Sequence, residues 1–427
     1  MSELQSKALA EAAADQWKVL PSGLTVLVRP MPGYSGTHVI YATRFGSIDR
    51  DFRLNGREVH LPAGVAHFLE HKMFEDQDGD AFAKFAKTGA NANAFTSFDR
   101  TCYLFTATQQ LDESLDVLLG MVGHPYFTEQ TIAKEQGIIG QEIKMYDDSP
   151  DWRLLNALFR GLYRAHPLRE DIAGTVQSIA EITPPLLYDC AKAFYAPENM
   201  VLSVAGKITL GQAVEACKRN GLYRARKNHA VAWDIPAETG AIPQKEQHFT
   251  MPVNRPCFGV AYREPPLEKG DLKRELLLAM LSDLICGGLT DFYRKLYDTS
   301  LVNPGFSGDC VTAPGACCVA FTGESEQPRQ VAALLQQEIE RLRRDGFDPE
   351  IFRLVKNQLY GETLGSMEQP DEAAEDAADA CLKGRTLAEE IEALAALTVQ
   401  DADELLRTAL REETRAYVQI DPAEDGD

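Results

Sequence analysis

The stretch Gly64-Val-Ala-His67-Phe-Leu-Glu70-His71 decides how this sequence is interpreted. Apolar residues recur there at spacings of three to five, which predicts a helix. Four residues advance a helix by about 400°, so His67 and His71 project from one face, one turn apart, as two ligands of one zinc ion do. Glu70 follows His67 by about 300°, where its carboxylate can reach a metal-bound water without binding the metal. The spacing therefore predicts a metal-chelating helix with Glu70 as a general base.

A hydrolytic zinc site usually has two histidines and one carboxylate, with the fourth position open. Candidates for the carboxylate lie on a helix predicted at residues 129–146, where Glu135 and Glu142 are two turns apart on a stripe with apolar isoleucines. An acid on an apolar stripe is costly unless it has a partner. The alternative for Glu135 and Glu142 is that both are solvated helix acids. The alternative for the motif at residues 67–71 is chance, since a His/Glu match of this length arises on the order of one time in a hundred.

Composition restricts the class of protein. The chain has 427 residues, of which 44% are hydrophobic, and 43 Lys+Arg against 64 Asp+Glu give a net charge of −21. Since single cores stop growing at about 250–300 residues, we expect more than one domain. The acidic balance argues against a nucleic-acid partner, which would need a basic face.

The lack of a recognisable secretory signal and the pattern of cysteines predict a cytoplasmic protein. The first residues are polar and lack the basic and apolar regions of a secretory signal. No uninterrupted apolar run approaches the roughly 18 residues that span a bilayer, so we expect no membrane partner. The nine cysteines are odd in number and include no CxxC pair, which predicts reduced, mostly buried thiols.

The sequence contains an internal repeat at a distance of roughly 200 residues, far longer than a solenoid unit. Both copies read as a strand, a helix, a turn with phenylalanine and a longer helix. The aligned landmarks are Cys102 with Cys318, Phe105 with Phe321, Phe127 with Phe347, and Glu142 with Glu362. We therefore expect a catalytic domain over residues 1–225, a linker over 226–245, and a homologous domain over 246–427 without the zinc motif. Residues 18–41 contain two β-rich stretches separated by turn residues, which predicts a hairpin or paired strands.

The motif and its surroundings resemble the pitrilysin-type zinc metallopeptidases, the family of insulin-degrading enzyme and the mitochondrial processing peptidase. HFLEH at residues 67–71 is the inverted zinc motif of the inverzincins. Residues 89–97 are similar to the family's substrate-binding edge strand, and residues 166–175 and 194–200 match later landmarks. The resemblance covers nearly the whole chain. It implies an α+β fold of two homologous domains, each a mainly antiparallel sheet packed against helices, in half of a clamshell.

The resemblance also implies a role for each candidate residue. His67, His71 and Glu142 would hold one zinc ion per chain, and Glu70 would be the general base. Glu135, seven residues before Glu142, would support the site from outside the ligand set.

Peptides are the substrates that the resemblance implies. An extended peptide would add as a strand beside Asn93, Ala94 and Phe95, with main-chain hydrogen bonds that leave sequence preference loose. The expected activity is that of a zinc-dependent endopeptidase acting on peptides or short unfolded polypeptides.

The second repeat departs from the family's active pattern. Its corresponding segment, residues 281–288, contains no histidine, so it is not a second active site. Family members that act alone or as homodimers generally carry an Arg and a Tyr in this half, where this chain has Tyr297 and Asn303. Arg294 could substitute for the Arg if the helix were shifted by one turn. Residues 296–310 resemble a half-size bacterial cytoplasmic branch. This pattern implies a heterodimer with a motif-lacking paralogue, although a homodimer is also possible.

Two other classes of function remain open at this stage. One is a structural, chaperoning or peptide-binding subunit of the same fold with weak catalysis, against which the complete set of motif residues argues. The other is a non-haem iron oxygenase, because two histidines and a carboxylate also form that enzyme class's metal triad. In an oxygenase, Glu70 would have no task.

Overall fold

A computed structural model describes residues 3–76, 79–225, 229–236 and 238–423. Its chain forms two units, each assembled from three segments around its own sheet. The first unit comprises Met1–Ile143, Asp171–Asp234 and Tyr360–Glu392, and the second comprises Lys144–Glu170, Ile235–Leu359 and Ala393–Asp427.

The strands of the described residues fall into two large sheets and two small ones. They are β1 (Gln16–Val19), β2 (Thr25–Pro30), β3 (Thr37–Thr43), β4 (Asp51–Leu54), β5 (Arg57–His60), β6 (Glu75–Asp76), β7 (Gly79–Asp80), β8 (Asn91–Thr96), β9 (Thr101–Ala107), β10 (Met200–Gly206), β11 (Val231–Trp233), β12 (Glu246–Met251), β13 (Cys257–Glu264), β14 (Ser307–Ala313), β15 (Ala316–Glu324) and β16 (Arg415–Pro422).

The helices cover these sheets. They are α1 (Glu3–Ala12), α2 (Val65–Met73), α3 (Ala81–Thr88), α4 (Leu111–Gly123), α5 (Glu129–Asp147), α6 (Pro150–Leu162), α7 (Val176–Ile179), α8 (Pro184–Phe194), α9 (Leu210–Arg219), α10 (Leu272–Cys286), α11 (Asp291–Asp298), α12 (Pro328–Asp345), α13 (Pro349–Met367), α14 (Pro370–Leu382), α15 (Leu387–Ala396) and α16 (Val399–Leu406). In the described residues no single helix is long and apolar enough to cross a membrane, while the bent pair α10 and α11 passes that test by length and composition.

The two large sheets have matching topologies. The first has the order β1-β2-β10-β3-β9-β8, and the second has the order β12-β16-β13-β15-β14. Each sheet contains one parallel pair, β2 with β10 and β12 with β16, and its other pairs are antiparallel. The predicted α+β fold of two homologous, mainly antiparallel domains is confirmed. The two β-rich stretches predicted as a hairpin or paired strands form β2 and β3, which do not pair with each other, because β10 from much later in the chain lies between them. The hairpin at this end of the chain is formed by β1 and β2 instead.

The helices of the two repeats also correspond. Helices α5 and α13 both span 19 residues, and α6 and α14, which follow them, both span 13. Helix α6 packs on β13 and β16 of the second sheet, whereas α14 packs on β10 and β3 of the first. Each sheet is thus covered by a helix from the other half of the sequence.

This exchange makes the two units interleave along the chain. The sequential division into residues 1–225, 226–245 and 246–427 assigns each helix to the repeat in which it lies. Periodicity identifies an apolar helix face but not the sheet that this face covers. The two repeats therefore follow each other in sequence, whereas each packed unit contains segments from both repeats.

Small side chains let α14 lie close to the first sheet. Ala373, Ala374 and Ala378 are buried against strand residues. Their partners in this cluster are Ile40, Ala42, Cys102, Val201 and Ala205. All nine cysteines are free, and seven are buried, as their number and spacing predict.

We expect Ala374→Leu to destabilise the protein by about 1–3 kcal/mol, because the added carbons must enter a packed helix–sheet contact. Urea unfolding followed by circular dichroism measures the change. Glu372→Leu introduces the same side chain at an exposed position of α14 and should change stability by less than about 0.5 kcal/mol. Equal effects of the two substitutions would contradict the packing of α14 on this sheet.

Candidate metal centre

A glycine and close packing fix the start of α2. Gly64 precedes the helix with φ of 91°, and a Cβ at this position would lie 2.4 Å from the carbonyl oxygen of Ala173. Only glycine fits both the left-handed backbone and this contact. Every residue of α2 except His71 is buried, so the motif lies on a rigid element rather than on a loop.

Helix α5 brings a carboxylate to the two histidines of α2. Glu142 Oε1 lies 3.7 Å from His67 Nε2, and Glu142 Oε2 lies 3.6 Å from His71 Nε2. One ligand atom from each of the three residues lies within 4.8 Å of the other two. Within the part of the chain that the structure describes, this is the only such group of three potential metal ligands.

Glu135 holds His71 from the opposite side of its ring. Glu135 Oε1 lies 3.0 Å from His71 Nδ1, which leaves Nε2 of His71 turned towards Glu142. Burial alone would raise the pKa of Glu135, but the hydrogen bond to His71 and the nearby positive charges lower it. Burial alone would lower the pKa of His71, and the hydrogen bond and charges of the surrounding carboxylates raise it.

His67 differs from His71 in its electrostatic environment. Burial, followed by the neighbouring His71, lowers the pKa of His67 to about 4, so its ring is neutral and has a lone pair to offer. Its Nδ1 is buried and has no hydrogen-bond partner among the described residues. The site thus offers two imidazole nitrogens and one carboxylate oxygen, and Glu135 orients one of the two rings. This set of ligands fits a zinc site with an open fourth position.

Glu70 is buried beside this group but is held by a different residue. Its side chain is 7% exposed, and its Oε2 accepts a hydrogen bond of 2.6 Å from Thr96 Oγ1. Burial raises the pKa of Glu70 to about 7, while the bond from Thr96 and the charge of His71 act in the opposite direction.

Strand β8 is the edge of the first sheet. Among the described residues it pairs with β9 on one side and with no strand on the other. Asn93 is exposed, and Ala94 and Phe95 are half-buried. The predicted substrate-binding residues therefore lie on a strand with one edge that pairs with no described strand, where the backbone N–H of Ala94 donates a hydrogen bond of 2.9 Å to Asn93 Oδ1.

Both halves of the chain match models of one peptidase family. Residues 58–176 match Insulinase (Peptidase family M16), and residues 181–359 match the Peptidase M16 inactive domain. The protein named uncharacterized zinc protease YmfH from Bacillus subtilis is 35% identical over 409 residues, which cover 94% of this chain and 95% of the relative. Uncharacterized zinc protease YmxG from the same organism is 28% identical, with 82% of this chain and 86% of the relative covered.

This chain belongs to peptidase family M16.

Solved structures agree with this M16 assignment. A crystal structure of an M16-like peptidase from Alicyclobacillus acidocaldarius is 32% identical with a TM-score of 0.92, and the match covers 96% of this chain and 98% of that one. Pitrilysin shares the fold at 17% identity with a TM-score of 0.76 over 95% of this chain, but only 45% of its own chain is covered. The protein is thus a half-size M16 chain, and the names of its relatives support a peptidase-type function and a zinc cofactor.

The structure brings together every metal-centre residue that the sequence indicated. His67, His71 and Glu142 converge, and Glu135 contacts His71. Thr96 was not singled out from the sequence, although it contacts Glu70. The sequence feature that could have identified Thr96 is its place in residues 89–97, the segment that resembles the family's edge strand. Threonine is too common in strands for this place alone to indicate a function.

The residues at the positions of the family's Arg and Tyr lie in the second unit. Arg294 and Tyr297 are exposed on α11. Asn303 donates a hydrogen bond of 2.8 Å from Nδ2 to Glu324 Oε2, and its Oδ1 accepts from the backbone of Gly305. The side chain of Asn303 is therefore used in local structure.

We expect Glu135→Gln to weaken zinc binding by about tenfold to a hundredfold, because the amide removes the charge that orients and polarises His71. Competition with a chromogenic chelator measures the affinity. Glu129→Gln is the matched control, since Glu129 is an exposed acid in the first turn of the same helix. Unchanged affinity in Glu135→Gln would show that the contact with His71 does not support the metal.

Proposed function

We propose that this M16 protein is a zinc-dependent endopeptidase that hydrolyses peptides or short unfolded polypeptides enclosed in a clamshell chamber. The single observation that carries the proposal is the convergence of His67, His71 and Glu142 to within 4.8 Å of one another. The buried carboxylate of Glu70, on the same helix as both histidines, adds the group that a hydrolase needs and an oxygenase does not.

In this proposal His67, His71 and Glu142 hold the zinc ion. Bound zinc would lower the pKa of a coordinated water towards about 7 and polarise the scissile carbonyl. Glu70 would act as the general base, accepting a proton from the attacking water and delivering it to the leaving amine. Glu135 keeps the Nε2 of His71 directed at the metal position through its bond to Nδ1.

The free edge of β8 supports binding of an extended peptide. Main-chain groups of Asn93, Ala94 and Phe95 would pair with the substrate as with an added strand, so that affinity depends little on side chains. The net charge of −21 makes basic or neutral peptides easier to accommodate than acidic ones. We therefore expect a broad preference for unfolded, non-acidic segments.

The second half supports a division of labour between subunits. It contains no second group of metal ligands within the described residues, and Tyr297 and Asn303 replace the Arg and Tyr of self-sufficient members of the family. We propose a heterodimer with a motif-lacking paralogue that supplies the missing side chains. A homodimer in which Arg294 serves instead is the alternative arrangement.

Glu70→Gln should retain stoichiometric zinc and lose hydrolysis, because it removes the base and leaves the three ligands intact. His71→Ala should lose zinc and hydrolysis together. Cleavage of a quenched fluorescent peptide library, with bound zinc measured in the same samples, distinguishes the two. Full activity in Glu70→Gln would refute the role of Glu70 as the general base. A zinc-replete, inactive His71→Ala would show that the ligands are misassigned.

We expect the purified chain, loaded with zinc, to cleave the library slowly and to gain activity when the motif-lacking paralogue is added. The reason is that the substrate-clamping side chains are absent from this chain. The measurement is the initial rate against paralogue concentration, with the paralogue alone as the control. A normal rate without the paralogue would refute the heterodimer. Stoichiometric zinc without hydrolysis in the mixture would favour a structural or peptide-binding subunit.

A further inference from the structure

The hydrogen bond between Thr96 and Glu70 joins the proposed base to the proposed substrate strand. Thr96 Oγ1 donates to Glu70 Oε2 at 2.6 Å. In the described residues this is the hydrogen bond that holds the Glu70 carboxylate, and it leaves Oε1 without one. The bond therefore determines which oxygen of Glu70 is free to accept a proton.

The position of Thr96 is fixed by its cross-strand neighbour. Thr96 is the last residue of β8, and it lies directly opposite Thr101, the first residue of β9. Thr101 is fully buried and donates a hydrogen bond of 2.8 Å to the carbonyl oxygen of Phe45. Between the two threonines, the turn is closed by a hydrogen bond from Ser97 N to Arg100 O. Thr96 is thus anchored to the sheet and cannot follow Glu70 if that side chain moves.

The faces of β8 separate Thr96 from the substrate edge. Side chains alternate between the two faces of a strand, so Ala94 and Thr96 share one face and Phe95 lies on the other. Helix α2 packs against β8, and Phe95 packs in the cluster beneath α14. The Thr96 hydroxyl points at α2, while the main-chain groups that would pair with a peptide lie along the free edge.

We propose that Thr96 is a positioning residue that fixes the orientation of Glu70 relative to a peptide bound along β8. The proposal rests on the proposed function, since it concerns the base of that reaction. A buried carboxylate with one anchored oxygen needs little reorganisation when the other oxygen takes a proton. Without the anchor, the carboxylate has several rotamers, and misplacement of a catalytic group by about 1 Å can cost about a hundredfold in rate.

The test compares three variants under saturating zinc with one quenched fluorescent peptide drawn from the library, in the presence of the paralogue if the chain needs it. Thr96→Val removes the hydroxyl at nearly constant shape, and Thr96→Ser retains it. Thr312→Val is the matched control, because Thr312 lies near the end of β14, the corresponding edge strand of the second sheet.

Thr96→Val should lower kcat by about tenfold to a hundredfold with KM, zinc content and unfolding midpoint unchanged. Thr96→Ser should restore most of kcat, and Thr312→Val should behave as the wild type. Unchanged kcat in Thr96→Val would overturn the proposal. A raised KM or lost zinc instead of a lowered kcat would also overturn it, because Thr96 would then act on the substrate or on the fold.

A second readout does not depend on activity. Crystal structures of the zinc-loaded Thr96→Val and Thr96→Ser variants should show the Glu70 carboxylate displaced in the first and retained in the second. An unmoved carboxylate in Thr96→Val would contradict the positioning role even if no peptide were cleaved. Failure of the proposed function itself is recognised separately, because the zinc-loaded wild type would then cleave no peptide even with the paralogue present.

Discussion

The contact between the acidic stripe of α5 and the two histidines of α2 is the constraint on which the site depends. Glu135 and Glu142 lie two turns apart; Glu142 lies near the imidazoles of both His67 and His71, and Glu135 contacts that of His71. Neither helix could bury these groups alone, because an unpartnered buried carboxylate or imidazolium is expensive. Packed together, each polar group meets a partner of complementary charge or hydrogen-bonding capacity. The relative placement of α2 and α5 is therefore determined by their polar groups as well as by apolar packing.

The same contact explains which features the sequence predicted well. The spacing of His67, Glu70 and His71 is set by helix geometry, which is local and needs no tertiary information. The seven-residue spacing of Glu135 and Glu142 is equally local, and the family resemblance supplied which of the two would be a ligand. The repeated order of strand, helix and longer helix followed from patterning and from the internal duplication, whereas the mainly antiparallel sheets were what the family resemblance implied.

Long-range placement was not predictable in the same way. The insertion of β10 between β2 and β3 joins segments more than a hundred residues apart, and no periodicity records such a pairing. The exchange of α6 and α14 between sheets is invisible for the same reason, because periodicity identifies an apolar helix face but not the sheet that this face covers. One consequence is that the metal-bearing unit needs the second half of the chain for its stability. The second half can lack a metal centre and still be required for the fold.

An edge strand is suited to combining substrate binding with positioning of a base. A central strand uses both of its hydrogen-bonding edges within the sheet, so only its faces remain for function. Within the residues that the structure describes, strand β8 pairs with β9 alone and so has two faces and one edge without a partner strand. Its edge offers main-chain groups in an extended register, and one face presents Thr96 to Glu70. Since both functions use the same six residues, a peptide paired along the edge has a fixed register relative to the base. In the proposed function, this geometry would select a peptide bond by its place along the strand, with weak side-chain recognition.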